Sequence, residues 1–395
     1  MNFKLFWFIP VMLVSALLVS VALPAIVRTA NKMNLFDSQD DRKVHFGNVP
    51  RLGGVSFLPA ILFSLLVVIA AMSIYSPVEL FLSYGSITQV MLALAGCLLL
   101  FLVGIVDDVI GVSYKYKFVI QIMSAVLLCV SGLWVKDLHG LFGIHQLHPA
   151  IGIPFTIVLA VLIINSINLI DGIDGLASGL CLIGTIGYSV VFFHRSMNIF
   201  MILSAAMIGV LIVFYFYNTL GKPGVNKTFM GDTGSLTMGF LLAFFAIKLT
   251  TTEISVNTSE THGLYFIYAL SLILIPVMDV FRVFFARLRD GKGPFYPDKR
   301  HIHHKILALG LSMRQTRYLI FMFSIAFLAL NMFIYYHLAW NINILVLIDA
   351  LLWIAMNIII SNKVKKLRSI NDPIALKFTE IGAGYKFRKR KKRRN

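Results

Sequence analysis

Apolar residues fall in long blocks along this chain, such as 5–26 and 55–74, and polar residues gather in the intervals between them. A helix needs ~20 mostly apolar residues to cross the hydrocarbon core of a bilayer. Strands of a membrane barrel would alternate apolar and polar over ~10 residues instead, and no such alternation is present. The pattern predicts an all-α, polytopic transmembrane helical bundle. Its spans are expected at 4–28, 54–75, 89–106, 117–135, 151–170, 177–193, 199–217, 234–250, 264–285, 316–336 and 340–361. The first block competes with a signal-peptide reading, since Lys4 precedes it and Ala22-Leu23-Pro24-Ala25 resembles a cleavage site. Its length, and the basic residues that follow it (Arg28, Lys32, Arg42 and Lys43), favour a retained span.

Composition agrees. Of 395 residues, 58% are hydrophobic and 13% charged, too few charges to cover a soluble domain of this size. Mean hydropathy is +0.83. No repeat or soluble domain emerges, so residues 1–362 read as one membrane domain and 363–395 as a basic tail. The cysteines (Cys97, Cys129, Cys181) lie inside apolar blocks without metal or disulfide spacing and read as small packing residues.

The net charge of +17 raises nucleic acid as a partner, but the distribution argues against it. Much of the charge sits in the tail at 386–394, where anionic lipid headgroups are the expected partner. The remainder flanks the spans. With the amino terminus outside and the carboxyl terminus cytoplasmic, only Lys4, Lys136, Arg195 and Lys248 of the 35 Lys/Arg fall on the outer side. The positive-inside rule requires this asymmetry, and the inverted topology breaks it.

The inward intervals also hold the candidate chemistry. Asp107 and Asp108 end the third apolar block. Adjacent carboxylates repel, so a cation or a proton-donating substrate explains them better than a solvated helix end. Lys117 and Gln121, four apart, share a helix face within reach of that pair. Asn165 and Asn168 share a face at the end of the fifth span, where polar groups are costly in lipid, and Asp171-Gly172-Ile173-Asp174-Gly175 follows. Glycines there let backbone approach a ligand closely. In Phe229-Met230-Gly231-Asp232-Thr233-Gly234-Ser235, a carboxylate at a helix start suits Mg²⁺, which takes few protein carboxylates and completes its shell with phosphate and water. Lys299, Arg300, His301, His303 and His304 suggest zinc at first sight, but the spacing is not that of a structural site, and a diphosphate clamp fits better. Asp37 and His45 lie in a smaller polar cluster that leads into Pro50-Arg51-Leu52-Gly53-Gly54.

In this order, from about residue 35 to 310, the motifs resemble the polyprenyl-phosphate N-acetylhexosamine-1-phosphate transferase family. The resemblance implies an enzyme of the bacterial inner (plasma) membrane with its active site on the cytoplasmic face. It implies transfer of a sugar 1-phosphate from a UDP-sugar to a polyprenyl phosphate, undecaprenyl phosphate in bacteria. UMP is released and a lipid-linked cell-envelope glycan is started. By the family pattern Asp232, Asp107 and Asp108 match the Mg²⁺ contacts, with Mn²⁺ as a substitute ion. Asp107, Asp108, Asp171 and Asp174 match catalytic acids. Asn168, His301, His303 and His304 match substrate-binding positions, and Asp37, His45, Lys117, Asn165, Lys299 and Arg300 are expected to bind substrate beside them.

Within the family, Gly111 and the His-Ile-His-His order point to the branch that transfers a plain N-acetylhexosamine, usually N-acetylglucosamine. The phospho-N-acetylmuramoyl-pentapeptide branch is the alternative. The interval 218–229 is longer than the family's usual one, which leaves Asn218 without an assigned role. From another class, a secondary transporter would explain intramembrane acids, but it places them near the midplane in repeated halves. A second copy of the chain, as a homodimer, is a further candidate partner.

Overall fold

The computed structural model describes residues 3–33, 35, 49–75, 84–251, 263–291, 293, 299–338 and 341–379. They form helices α1 (Phe3–Lys32), α2 (Phe57–Tyr75), α3 (Tyr84–Ile110), α4 (Tyr114–Val130), α5 (Pro149–Ile170) and α6 (Leu176–His194). These are followed by α7 (Asn198–Leu220), α8 (Gly231–Thr250), α9 (Leu264–Arg289), α10 (Ile302–Leu307), α11 (Met313–Leu338), α12 (Ile342–Ser369) and α13 (Pro373–Thr379). A 3₁₀ turn, Gly53–Ser56, leads into α2.

Ten of these helices are long and apolar enough to cross a membrane. α4, with 17 residues, lies at the place of the fourth of the eleven expected spans but is not among those ten. It starts at Tyr114, earlier than expected, and stops earlier because the chain turns at Ser131 and Gly132. The all-α, multi-pass expectation is therefore met, with one addition. A short antiparallel hairpin, β1 (Asp137–Leu141) and β2 (Ile144–Gln146), fills the interval between α4 and α5. Asn343 at the start of α12 ties it down, accepting from Phe142 N (2.6 Å) and donating to Gly140 O (2.9 Å).

α8 forms the axis of the bundle. It packs against α3, α5, α6 and α9, and 94% of its most apolar window is buried. A helix apolar all round belongs inside a bundle. The outer helices instead present apolar side chains outward, including Leu17 and Val21 on α1 and Leu347 and Leu351 on α12. Such surface suits lipid and not water.

The ends of the helices set the site. α3 and α5 end, and α4, α8 and α10 begin, at the end of the bundle opposite the hairpin. α12 continues past the expected start of the tail to Ser369, and α13 then packs back on α10. Residues 380–395, with the run at 386–394, lie outside the described residues.

Candidate active site

Four of the expected motifs meet where α8 begins. Lys117 of α4 places its ammonium between two carboxylates, 3.2 Å from Asp107 Oδ2 and 2.6 Å from Asp232 Oδ2. Asn168 of α5 donates to Asp232 Oδ1 (3.0 Å) and to Ser235 Oγ (2.8 Å). Asp107 is steadied by Val112 N, which donates to its Oδ1 at 2.6 Å. Behind them, Gln121 and Asn165 join α4 to α5 through an amide pair, Asn165 Nδ2 donating to Gln121 Oε1 at 2.7 Å.

Asp108 faces differently from its neighbour. Its Oδ1 accepts from Asp232 N (2.8 Å), and its Oδ2 accepts from Thr233 N (3.0 Å) and Thr233 Oγ1 (2.6 Å). It caps α8, satisfying amides that have no partner in the helix's first turn. Gly231 makes this approach possible: its φ is +68°, and a Cβ there would run into the Asp108 carboxylate and Arg51 O. A second brace comes from the segment before α2. Gly53 N donates to Phe229 O (3.1 Å), Gly54 N to Met230 O (3.0 Å), and Phe229 N to Pro50 O (2.8 Å). The Pro50–Gly54 stretch thus fixes the irregular approach to Asp232.

Asp171 caps the end of α5 beside this cluster. Burial, and then the negative charge of Asp232, raise its carboxyl to about 7, against the opposing pull of Arg51. Asp174 turns aside: its carboxylate pairs with Lys227, and its carbonyl accepts from Arg317 Nη1 at 2.7 Å. Asn218 closes the same turn, accepting from Gly175 N (2.5 Å) and donating to Thr228 O (2.8 Å). The long interval at 218–229 therefore has a task, holding the Asp171–Gly175 turn against the start of α8. Neither Lys227 nor Asn218 carries a local signal of that task, because each partner is remote in sequence.

The histidine segment is anchored from α9. Asp279 accepts from Ile302 N (3.0 Å), meets His301 Nδ1 at 2.8 Å, and pairs with Arg282 at 2.7 Å. His303 is buried, and neither ring nitrogen has a hydrogen-bond partner among the described residues. Burial, reinforced by His304 and His301, holds its pKa well below the ordinary imidazole range, so it meets a ligand as a neutral ring. Its ring fills the space beside Gly172, where an added Cβ would collide with it. Gly172→Ala should therefore displace His303 and cost about 1–3 kcal/mol in thermal unfolding of the membrane-inserted protein. An unchanged Tm would refute that packing.

Lys299 and Arg300, expected to grip a diphosphate, are engaged elsewhere. Lys299 Nζ donates to Lys377 O on α13 (2.8 Å), and Arg300 pairs with Asp290 (2.5 Å). Asp37 and His45 lie outside the described residues.

Among the described residues no three or more His, Cys, Asp or Glu side chains group as a metal site. Two carboxylates converging on one cationic atom nevertheless fit an ion that takes its remaining oxygens from phosphate and water. Asp108, expected as a third contact, has its oxygens engaged by the start of α8. Lys117, Asn168, Gly172, His301, His303 and His304 line the polar end of a cavity of about 640 Å³. Its other end, between α5 and α9, is walled by Val158, Leu162, Leu169, Val280, Val283 and Phe284. Val158 is 66% exposed on the outer surface of the bundle, so the apolar end opens toward lipid.

The family model described as Glycosyl transferase family 4 matches residues 90–250, which hold Asp107 and Asp108 of α3, Asp171 and Asp174 after α5, and Asp232 of α8. The chain is 31% identical over 355 residues to a probable undecaprenyl-phosphate N-acetylglucosaminyl 1-phosphate transferase of Bacillus subtilis (strain 168), covering 88% of this chain and 87% of the relative. This chain belongs to glycosyl transferase family 4. Two further relatives are undecaprenyl-phosphate alpha-N-acetylglucosaminyl 1-phosphate transferases. That of Escherichia coli (strain K12) is 33% identical over 297 residues, 74% of each chain. That of Yersinia pestis is 31% identical over 299 residues, 74% of this chain and 75% of the relative. As a glycosyl transferase family 4 member the protein is a multi-pass membrane enzyme of the phosphotransferase type. The resemblance drawn from its four motifs is confirmed.

Proposed function

We propose that this enzyme transfers N-acetylglucosamine 1-phosphate from UDP-N-acetylglucosamine to undecaprenyl phosphate, starting a lipid-linked cell-envelope glycan. The reading rests above all on the two-ended cavity. Its polar end suits a diphosphate and a sugar, and its apolar end lies open to a polyprenyl chain arriving from the membrane. The phosphate oxygen of the acceptor attacks the sugar-linked phosphorus of the donor. The bond from that phosphorus to the bridging oxygen breaks, and UMP leaves with the electron pair. Phosphoryl transfer of this kind depends mainly on positioning and on neutralising charge. Asp232 and Asp107 would hold Mg²⁺, which when bound offsets the charge of the diphosphate. Lys117 and Asn168 orient Asp232, and neutral His303 can donate a hydrogen bond to the donor without adding charge.

The site lies on the cytoplasmic face of the bacterial inner membrane in this reading, as the Lys/Arg distribution requires. The basic run at 386–394 would rest on anionic headgroups there. A transporter fits less well, because the acids gather at one end of the bundle and not near its middle.

Purified protein with undecaprenyl phosphate and Mg²⁺ should release UMP from UDP-N-acetylglucosamine, and release should stop when the acceptor is withheld. UDP-N-acetylmuramoyl-pentapeptide should react at least ~10-fold more slowly, a discrimination of about 1.4 kcal/mol. Equal or better use of the pentapeptide donor would overturn the sugar assignment. Acceptor-independent UMP release would overturn the transfer reaction itself.

A further inference from the structure

A second groove lies on the other side of α9 from the candidate active site. It has a volume of about 830 Å³ and runs between α9, α10 and α12. Along both long helices its lining changes from apolar to cationic in the same direction. On α9, Met278, Phe281 and Phe285, with Arg282 among them, give way to Arg289. On α12, Trp353, Ile354 and Ile358 give way to Ser361 and Lys365. The cationic end lies at the end of the bundle that carries the catalytic acids, where a headgroup layer meets water. The apolar end opens outward: Phe285 is 62% exposed, Ile354 51% and Ile358 54%.

Charge in the groove is one-sided. Arg282, Arg289, Arg300, Lys305 and Lys365 line it, and among the described residues no carboxylate does. Asp279 and Asp290, behind the wall, answer Arg282 (2.7 Å) and Arg300 (2.5 Å), and Asp290 also lies 3.9 Å from Arg289. Lys305 Nζ reaches neutral oxygens, Ser361 Oγ at 2.9 Å and Asn357 Oδ1 at 3.4 Å. Burial, and then the Arg282 charge, lower its pKa to about 8, the mark of a cation short of an anion. Trp353 is 2% exposed, and its indole N–H has no acceptor among the described residues.

We propose that this groove binds an anionic phospholipid of the membrane. Its phosphate sits among Lys305, Lys365 and Arg289, and its acyl chains lie along Phe281, Phe285, Ile354 and Ile358. The apolar-to-cationic order along two adjacent helices matches an amphiphile standing in its own leaflet, and a free phosphate ion would leave the apolar wall bare.

The test is native mass spectrometry of the full-length protein in neutral detergent. It would be titrated with phosphatidylglycerol, phosphatidylethanolamine and undecaprenyl phosphate. Wild type should retain one phosphatidylglycerol at least tenfold more tightly than phosphatidylethanolamine. Lys305→Gln/Lys365→Gln should abolish that preference while leaving UMP release in detergent unchanged. Ile358→Trp, which fills the apolar end and keeps every charge, should weaken retention of phosphatidylglycerol by a similar factor. Equal retention of the two phospholipids, or a preference that survives either variant, would overturn the proposal. So would one-for-one displacement of the phosphatidylglycerol by undecaprenyl phosphate, which would make the groove an acceptor site.

Discussion

Asp232→Asn should lower turnover by on the order of 10²-fold or more while leaving thermal stability nearly unchanged. The side chain keeps its size. Its Oδ1 can still accept from Asn168, and the α8 backbone that carries it is held by Asp108 and not by Asp232 itself. What is lost is the negative charge that Lys117 meets at 2.6 Å and that a divalent ion at the diphosphate would need. A charge used in the transition state and little used in folding gives this separation of effects. UMP release and Tm, measured on the same detergent-purified sample, check it. Near-normal turnover in excess Mg²⁺ would remove Asp232 from the reaction.

Asp108→Asn should fail in a different way, losing activity and stability together. The Asp108 carboxylate receives three donors from the first turn of α8. An asparagine offers one oxygen, and its NH₂ would face donors where acceptors are needed. Bonds to a charged acceptor are each worth about 1.5–3 kcal/mol, so a loss of roughly 2 kcal/mol in unfolding is expected for this half-buried site. Activity should fall at least ~10-fold, because a small displacement of the start of α8 moves Asp232 off Lys117 and Asn168. If Asp108→Asn abolished turnover with an unaltered Tm, Asp108 would have to act on substrate directly and not through α8. The two neighbouring acids of α3 thus divide their work. Asp107 faces the site, and Asp108 holds the helix that carries Asp232.

Several features were legible in the sequence because they depend on local composition. The long apolar blocks required membrane helices, since backbone in lipid must satisfy its own hydrogen bonds. The acids, amides and glycines between those blocks were too costly, and too regular in order, to be incidental. Even the placement of Lys117 near Asp107 followed from helical spacing on either side of a short turn.

Other features depend on which remote segments meet, and no local pattern reports that. The hairpin at 137–146 is short and held by Asn343, some two hundred residues away in the chain. Its few residues have too little apolar alternation to announce strands. Lys299 and Arg300 looked like a phosphate clamp because they sit beside the histidines. The tertiary fold instead turns them to α13 and Asp290, leaving the uncharged His303 at the cavity. Lys227 on Asp174, Asn218 between two turns, and Gly53 and Gly54 paired with Phe229 and Met230 are likewise meetings of distant segments. The sequence by itself determined a membrane helical bundle and the set of groups from which a phosphate-handling site is made, because hydropathy and side-chain chemistry are properties of each residue. Only the tertiary structure decided which of those groups face the cavity and which hold it together, because that depends on the packing of α8 against its neighbours.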